Sequence, residues 1–162
     1  MSFPLVHYWP LSFPLVHYCQ HILSHVDTIS ENEIVWSTAN DYLGTAYMNN
    51  MVYNETNNSV ELLQPGVYFI YSAITFDFGD ISVVDLFNHE VKRWHRLLPK
   101  TVSVLLNSRF GGSSESKRTY TSFLCGAFKL DNSTNVMIEV TRKAHGHVKK
   151  SKYVNYFGIV MV

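Results

Sequence analysis

Residues 67–76 read Val-Tyr-Phe-Ile-Tyr-Ser-Ala-Ile-Thr-Phe, a run of strand-forming residues that is apolar at odd and even positions alike. Successive side chains of a strand point to opposite faces, so this strand needs cover on both. Residues 156–162, Tyr-Phe-Gly-Ile-Val-Met-Val, have the same character. An antiparallel sheet with one face in water alternates apolar with polar residues, and neither run does. The second cover comes from another layer of the same chain or from another subunit. With 162 residues the chain is the size of one domain. Three layers are hard to build from that length, which favours a subunit.

The rest of the sequence from His21 onward also reads as β. Val, Ile, Tyr, Phe and Thr recur in runs of five to ten residues that end in polar or Gly clusters. Expected strands are Ile22–Asp27, Ile34–Trp36, Thr45–Tyr53, Ser59–Leu63, Gly66–Phe78, Ser82–Val91, Thr101–Ser108, Thr119–Leu130, Asn135–Arg142 and Tyr153–Val162. Breakers between them include Gln64-Pro65-Gly66, Asp77–Asp80, Arg109–Ser116 and Asp131–Ser133. No segment holds a 3.6-residue apolar stripe over three turns. Short strands at this spacing imply an all-β sandwich, jelly roll or barrel. Residues 1–20 differ. Ser2–Tyr8 (SFPLVHY) returns as Ser12–Tyr18, and two copies are too few for a solenoid. Pro4, Pro10 and Pro14 oppose both helix and central strand. The segment is expected to be extended and outside the domain of residues 21–162.

Thirteen basic residues balance thirteen acidic ones, so no net positive field attracts a nucleic acid. No apolar stretch is long enough to span a bilayer as a helix, and no basic-then-apolar leader opens the chain. Cys19 and Cys125 make neither a disulfide framework nor a zinc pattern. Three N-x-S/T sequons, at Asn54, Asn57 and Asn132, lie in polar turn-like clusters and point to a secreted glycoprotein. Motifs of catalysis are lacking: no Gly-x-Ser-x-Gly elbow, no phosphate loop and no His-Glu-x-x-His occur. His145-Gly146-His147 is weak evidence for a metal, and neither enzyme chemistry nor a cofactor is expected.

The order of short motifs resembles that of the tumour necrosis factor ligand superfamily. Ser24-His25-Val26 resembles its opening strand, and Ile34-Val35-Trp36 its Leu-x-Trp. Leu43–Tyr47 with Met51-Val52-Tyr53 resembles the next two short strands. Gly66–Ser72 (GVYFIYS) with Phe76 is very similar to the central signature. Phe123–Leu130 (FLCGAFKL) and Tyr156-Phe157-Gly158 resemble the two further strands of that fold. Residues 42–76 are most similar to the TNF-like ligand 1A branch, and the C-terminus also to LIGHT.

The resemblance implies a jelly-roll sandwich assembling as a homotrimer. It would be an extracellular cytokine, secreted or shed from a type II membrane protein, that clusters receptors of the TNF-receptor family. By motif position His25, Phe69, Tyr71, Phe123, Cys125, Tyr156 and Val160 fall at the trimer interface. Receptor contacts are expected from loops. The D–E loop, taken as Arg93–Lys100, offers Trp94, Arg96 and Leu98. The E–F segment offers Arg109, and the basic G–H loop, Arg142–Lys152, offers His145 and Lys149. A disulfide that many members carry between the C–D and E–F loops has no cysteines here. The alternative function is a recognition or adhesion module of the complement globular-head type, which shares the jelly roll and the trimer but usually follows a collagen-like stalk. A sugar-acting jelly-roll enzyme would need paired carboxylates on one concave face, and none is evident.

Overall fold

The structure is a computed structural model that describes residues 26–29, 34–36, 50–79, 86–111, 119–150 and 154–162; for 26–29, 34 and 35 it describes the backbone only. Among the described residues, ten strands and one short 3-10 helix follow each other in chain order. They are β1 (Val26–Ile29), β2 (Ile34–Trp36), β3 (Met51–Asn54), β4 (Ser59–Leu62), β5 (Gly66–Asp77), β6 (Leu86–His95), β7 (Leu98–Gly111), β8 (Thr119–Leu130), β9 (Thr134–Val140), the 3-10 turn (Arg142–His147) and β10 (Tyr156–Met161). All pair antiparallel: β10-β5-β8 form one sheet, β3-β4-β9-β6-β7 a second, and β1-β2 a separate ladder. This is the expected all-β jelly-roll architecture. The duplicated N-terminal segment and the expected domain boundary at residue 21 lie outside the described residues.

The two sheets meet across one apolar core, because each strand sends alternate side chains inward. From β5 these are Tyr68, Ile70, Ile74 and Phe76; from β6 Phe87 and Val91; from β9 Val136, Ile138 and Val140; from β10 Phe157 and Ile159. One end is aromatic. Phe76 packs on Phe110 with ring centroids 4.5 Å apart, Phe78 stacks on Phe87 at 5.6 Å, and the His147 ring closes on Phe78 at 5.0 Å. Trp36 is buried and packs on Phe157 at 5.9 Å, which ties the β1-β2 ladder to the three-stranded sheet.

A polar bridge crosses this core. His89 of β6 has no solvent exposure. Its Nε2 lies 3.0 Å from the Ser72 hydroxyl on β5 and its Nδ1 2.9 Å from the Ser122 hydroxyl on β8. A neutral imidazole needs one donor and one acceptor, and serine hydroxyls serve as either. Burial holds the imidazole down at a pKa of about 4, because charging it here would lose its hydration.

Candidate functional site

The outward face of β10-β5-β8 is set by register. Tyr156, Ala73 and Phe123 form one cross-strand row; Gly158, Tyr71 and Cys125 the next; Val160, Phe69 and Ala127 a third. Six of the seven residues assigned to an interface by motif position thus share one face, and His25 lies outside the described residues. Phe69 and Phe123 remain 37% and 55% exposed in the single chain, and Cys125 is an exposed free thiol. Tyr71 links the face, with ring centroids 6.1 Å from both Phe69 and Tyr156. A row of large aromatics left open to water is the signature of an interaction surface.

Part of the second cover comes from the chain itself. Ala73 and Thr75 point to this face yet are buried. The Asn155 amide oxygen accepts from the Thr75 backbone N–H at 2.7 Å, and the Thr75 hydroxyl donates to the Val154 carbonyl at 3.0 Å. The expectation of a subunit over the whole of residues 67–76 is therefore corrected: the C-terminal part of β5 is roofed by residues 154–155, and the Phe69–Tyr71 part is open.

Gly158 is required by the close approach of Tyr71, whose ring end occupies the place a Cβ would take. Gly158→Ala is expected to swing the ring out of its row. The cost to the protomer is about 1 kcal/mol, the low end for overpacking because the ring sits at the surface. A urea midpoint lowered in Gly158→Ala and restored in Gly158→Ala/Tyr71→Ala checks this.

The second group of expected residues divides between two ends of the molecule. The span Arg93–Lys100, expected as a loop, is mostly strand: β6 runs through His95 and β7 begins at Leu98, so the turn is Arg96-Leu97. The Arg96 N–H donates to the Ser133 carbonyl at 2.9 Å, which pins the turn to the β8–β9 connection. Trp94 is half-buried, whereas Leu97 and Leu98 are 79% and 60% exposed. Leu97 was not expected as a site residue; its place between Arg96 and Leu98 at a hairpin tip is the signal that marks it. Arg93, Trp94, His95, Leu98, Asp131 and Thr134 are among the residues lining an open depression of about 210 Å³ beside the tip.

Arg109 and Lys149 are exposed at the other end. Arg109 lies within β7 opposite Asn88 rather than in a loop. The Lys149 N–H donates to the Thr75 carbonyl at 2.8 Å. His145 corrects its assignment as a surface contact. It is buried in the 3-10 turn beside Ala144, with Nε2 3.2 Å from the Val140 carbonyl, so its side chain faces the protein.

Of the sequons, Asn132 is exposed while Asn54 and Asn57 are half-buried. The Asn57 amide oxygen accepts from the Ser59 hydroxyl at 2.6 Å. Among the described residues no helix is long and apolar enough to cross a membrane.

With this geometry in view, the model of the TNF (Tumour Necrosis Factor) family matches residues 35–162. No curated protein matches the chain.

Proposed function

The chain belongs to the TNF family, and from that premise we propose that it is a cytokine ligand that forms a homotrimer and clusters cell-surface receptors of the TNF-receptor family. The observation that carries the assembly is the open aromatic face of β10-β5-β8, with Phe69, Tyr71, Phe123 and Tyr156 in adjacent rows. A ring of three needs a heterologous contact, in which one patch of a protomer meets a different patch of the next. A second apolar patch is present on β7, the last strand of the five-stranded sheet, where Val102 and Val104 are half-exposed. Closing face onto edge around a three-fold axis covers both.

Receptors then lie in the grooves between protomers. The hairpin residues Trp94, Leu97 and Leu98 stand roughly 35 Å along β7 from Arg109, so an elongated receptor in the groove touches both ends. Three grooves on one trimer gather three receptors, and the clustering follows from that geometry. Release outside the cell, from a type II membrane precursor or by secretion, completes this reading. Within the family, the resemblance of residues 42–76 to the TNF-like ligand 1A branch, and then to LIGHT, supports a ligand of that branch as the finer reading.

Light scattering coupled to size exclusion is expected to give a mass near three subunits of 18.6 kDa. Surface plasmon resonance against a panel of TNF-receptor-family ectodomains is expected to find at least one that binds. Trp94→Ala is expected to weaken that binding by about 2 kcal/mol, a loss of roughly 30-fold, as for an aromatic anchor flanked by arginine. A monomer that binds a receptor at full strength overturns the reading.

A further inference from the structure

The Asn132-Ser133-Thr134 sequon and the β6–β7 hairpin, far apart in sequence, are joined in the fold. Ser133 stands at φ 58 in the turn between β8 and β9. Its backbone is held on both sides: its N–H donates to the Leu62 carbonyl at 2.7 Å, and its carbonyl accepts from the Arg96 N–H at 2.9 Å. Asn132 is therefore an exposed side chain on a turn fixed to the hairpin tip. Its neighbours Asp131 and Thr134 line the depression that also contains Trp94 and Leu98. We propose that Asn132 carries an N-linked glycan, and that this glycan lies over the Trp94–Leu98 depression and regulates access to the hairpin.

The acceptor chemistry is that of the secretory pathway. The Asn132 amide nitrogen forms a bond to the anomeric carbon of the oligosaccharide's reducing-end sugar. The bond from that carbon to the diphosphate of a polyisoprenyl-diphosphate donor breaks, and the amide proton leaves with the lipid diphosphate. The fold distinguishes Asn132 from Asn57. Asn132 projects into solvent, so a bulky hydrophilic group is accommodated there. Asn57 is half-buried, and the Ser59 hydroxyl it accepts from belongs to a fully buried residue that also bonds the Asn135 amide oxygen at 3.1 Å. Of these two, the exposed acceptor is the one at the end of the molecule that bears the hairpin. The consequence for receptors rests on the receptor reading above; the glycan and its shielding of the depression do not.

The test uses the full chain secreted from a eukaryotic cell behind a cleavable signal. Peptide mass spectrometry after glycosidase release in heavy-oxygen water is expected to find Asn132 labelled and Asn57 unlabelled. Hydroxyl-radical footprinting then compares this protein with the Asn132→Gln variant and with wild type trimmed by glycosidase under native conditions. Oxidation of Trp94 and Leu98 is expected to rise several-fold on loss of the glycan, while Leu86, exposed at the opposite end of β6, stays unchanged. The trimmed wild type decides the matter should Asn132→Gln fail to be secreted. An unoccupied Asn132, or equal oxidation of Trp94 and Leu98 with and without the glycan, overturns the proposal. Failure of every receptor ectodomain to bind would count against the receptor reading and leave both of these readouts decisive.

Discussion

Tyr71→Asp is expected to give a folded monomer that no longer binds receptor. Tyr71 stands at the centre of the open face, opposite Cys125 on one side and Gly158 on the other. Its ring touches those of Phe69 and Tyr156. In a lone protomer the side chain is half-exposed, so a carboxylate there stays hydrated and costs the sandwich little. In a closed trimer the same carboxylate would be brought out of water with two symmetry copies nearby. The desolvation penalty is several kcal/mol for each ion, and like charges add repulsion. That exceeds what the lost aromatic area alone would cost. In the proposed trimer each groove would be composed of two protomers, so loss of the trimer would remove the receptor site with it. Light scattering should move from three subunit masses to one while the far-ultraviolet circular dichroism stays that of a β protein. Tyr71→Phe, which keeps the ring, should remain trimeric. A trimeric Tyr71→Asp protein would show that this face is not the seam.

The sequence was most informative where two constraints acted on the same residues. β2 and β8 run over the spans expected for them, and β5 differs by one residue, because alternating or continuous apolar runs stop at Gly, Pro or Asp. The strand character of Arg93–Lys100 was not legible. Charges and Pro99 there look like loop, but β7 is the last strand of its sheet, and an edge position tolerates both a proline and a solvated row. Nor was the inward turn of His145. A short basic stretch has no period to show which side chain turns inward, and only Ala144 and Val148, both buried, hinted that the turn has an inner side. The open face was legible as a surplus of apolar residues, whereas its partial roof by residues 154–155 was not. That roof depends on two hydrogen bonds from Thr75 to residues some eighty positions away. His89 gave no signal at all: one histidine among eight acquires its role only when Ser72 and Ser122 are brought to either side of it.

That histidine makes the fold sensitive to acid. Folded, His89 titrates at about 4; exposed, an imidazole titrates near 6.5. Between those values the unfolded chain binds a proton that the folded chain refuses, so stability falls as pH falls. The contribution is fully present above about 6.5 and is lost progressively down to about 4, a total of about 3 kcal/mol. The cause is burial; charge does not produce it. His89 alternates with Asn88 and Glu90 along β6 and points inward, while Glu90 lies 3.2 Å from Lys92 on the outer face. Across the core it meets two hydroxyls, and its strand partners Ser108 and Val140 carry no charge. Urea midpoints at fixed protein concentration, taken at neutral pH and near pH 4, measure the loss in wild type. His89→Gln keeps a donor and an acceptor between Ser72 and Ser122 but cannot take up the proton. Its stability at neutral pH should be lower than that of wild type, because the amide fits the imidazole's place imperfectly. Its decline toward pH 4 should be shallower by about the His89 contribution. An unchanged slope in His89→Gln would mean that some other group sets the acid limit of this fold.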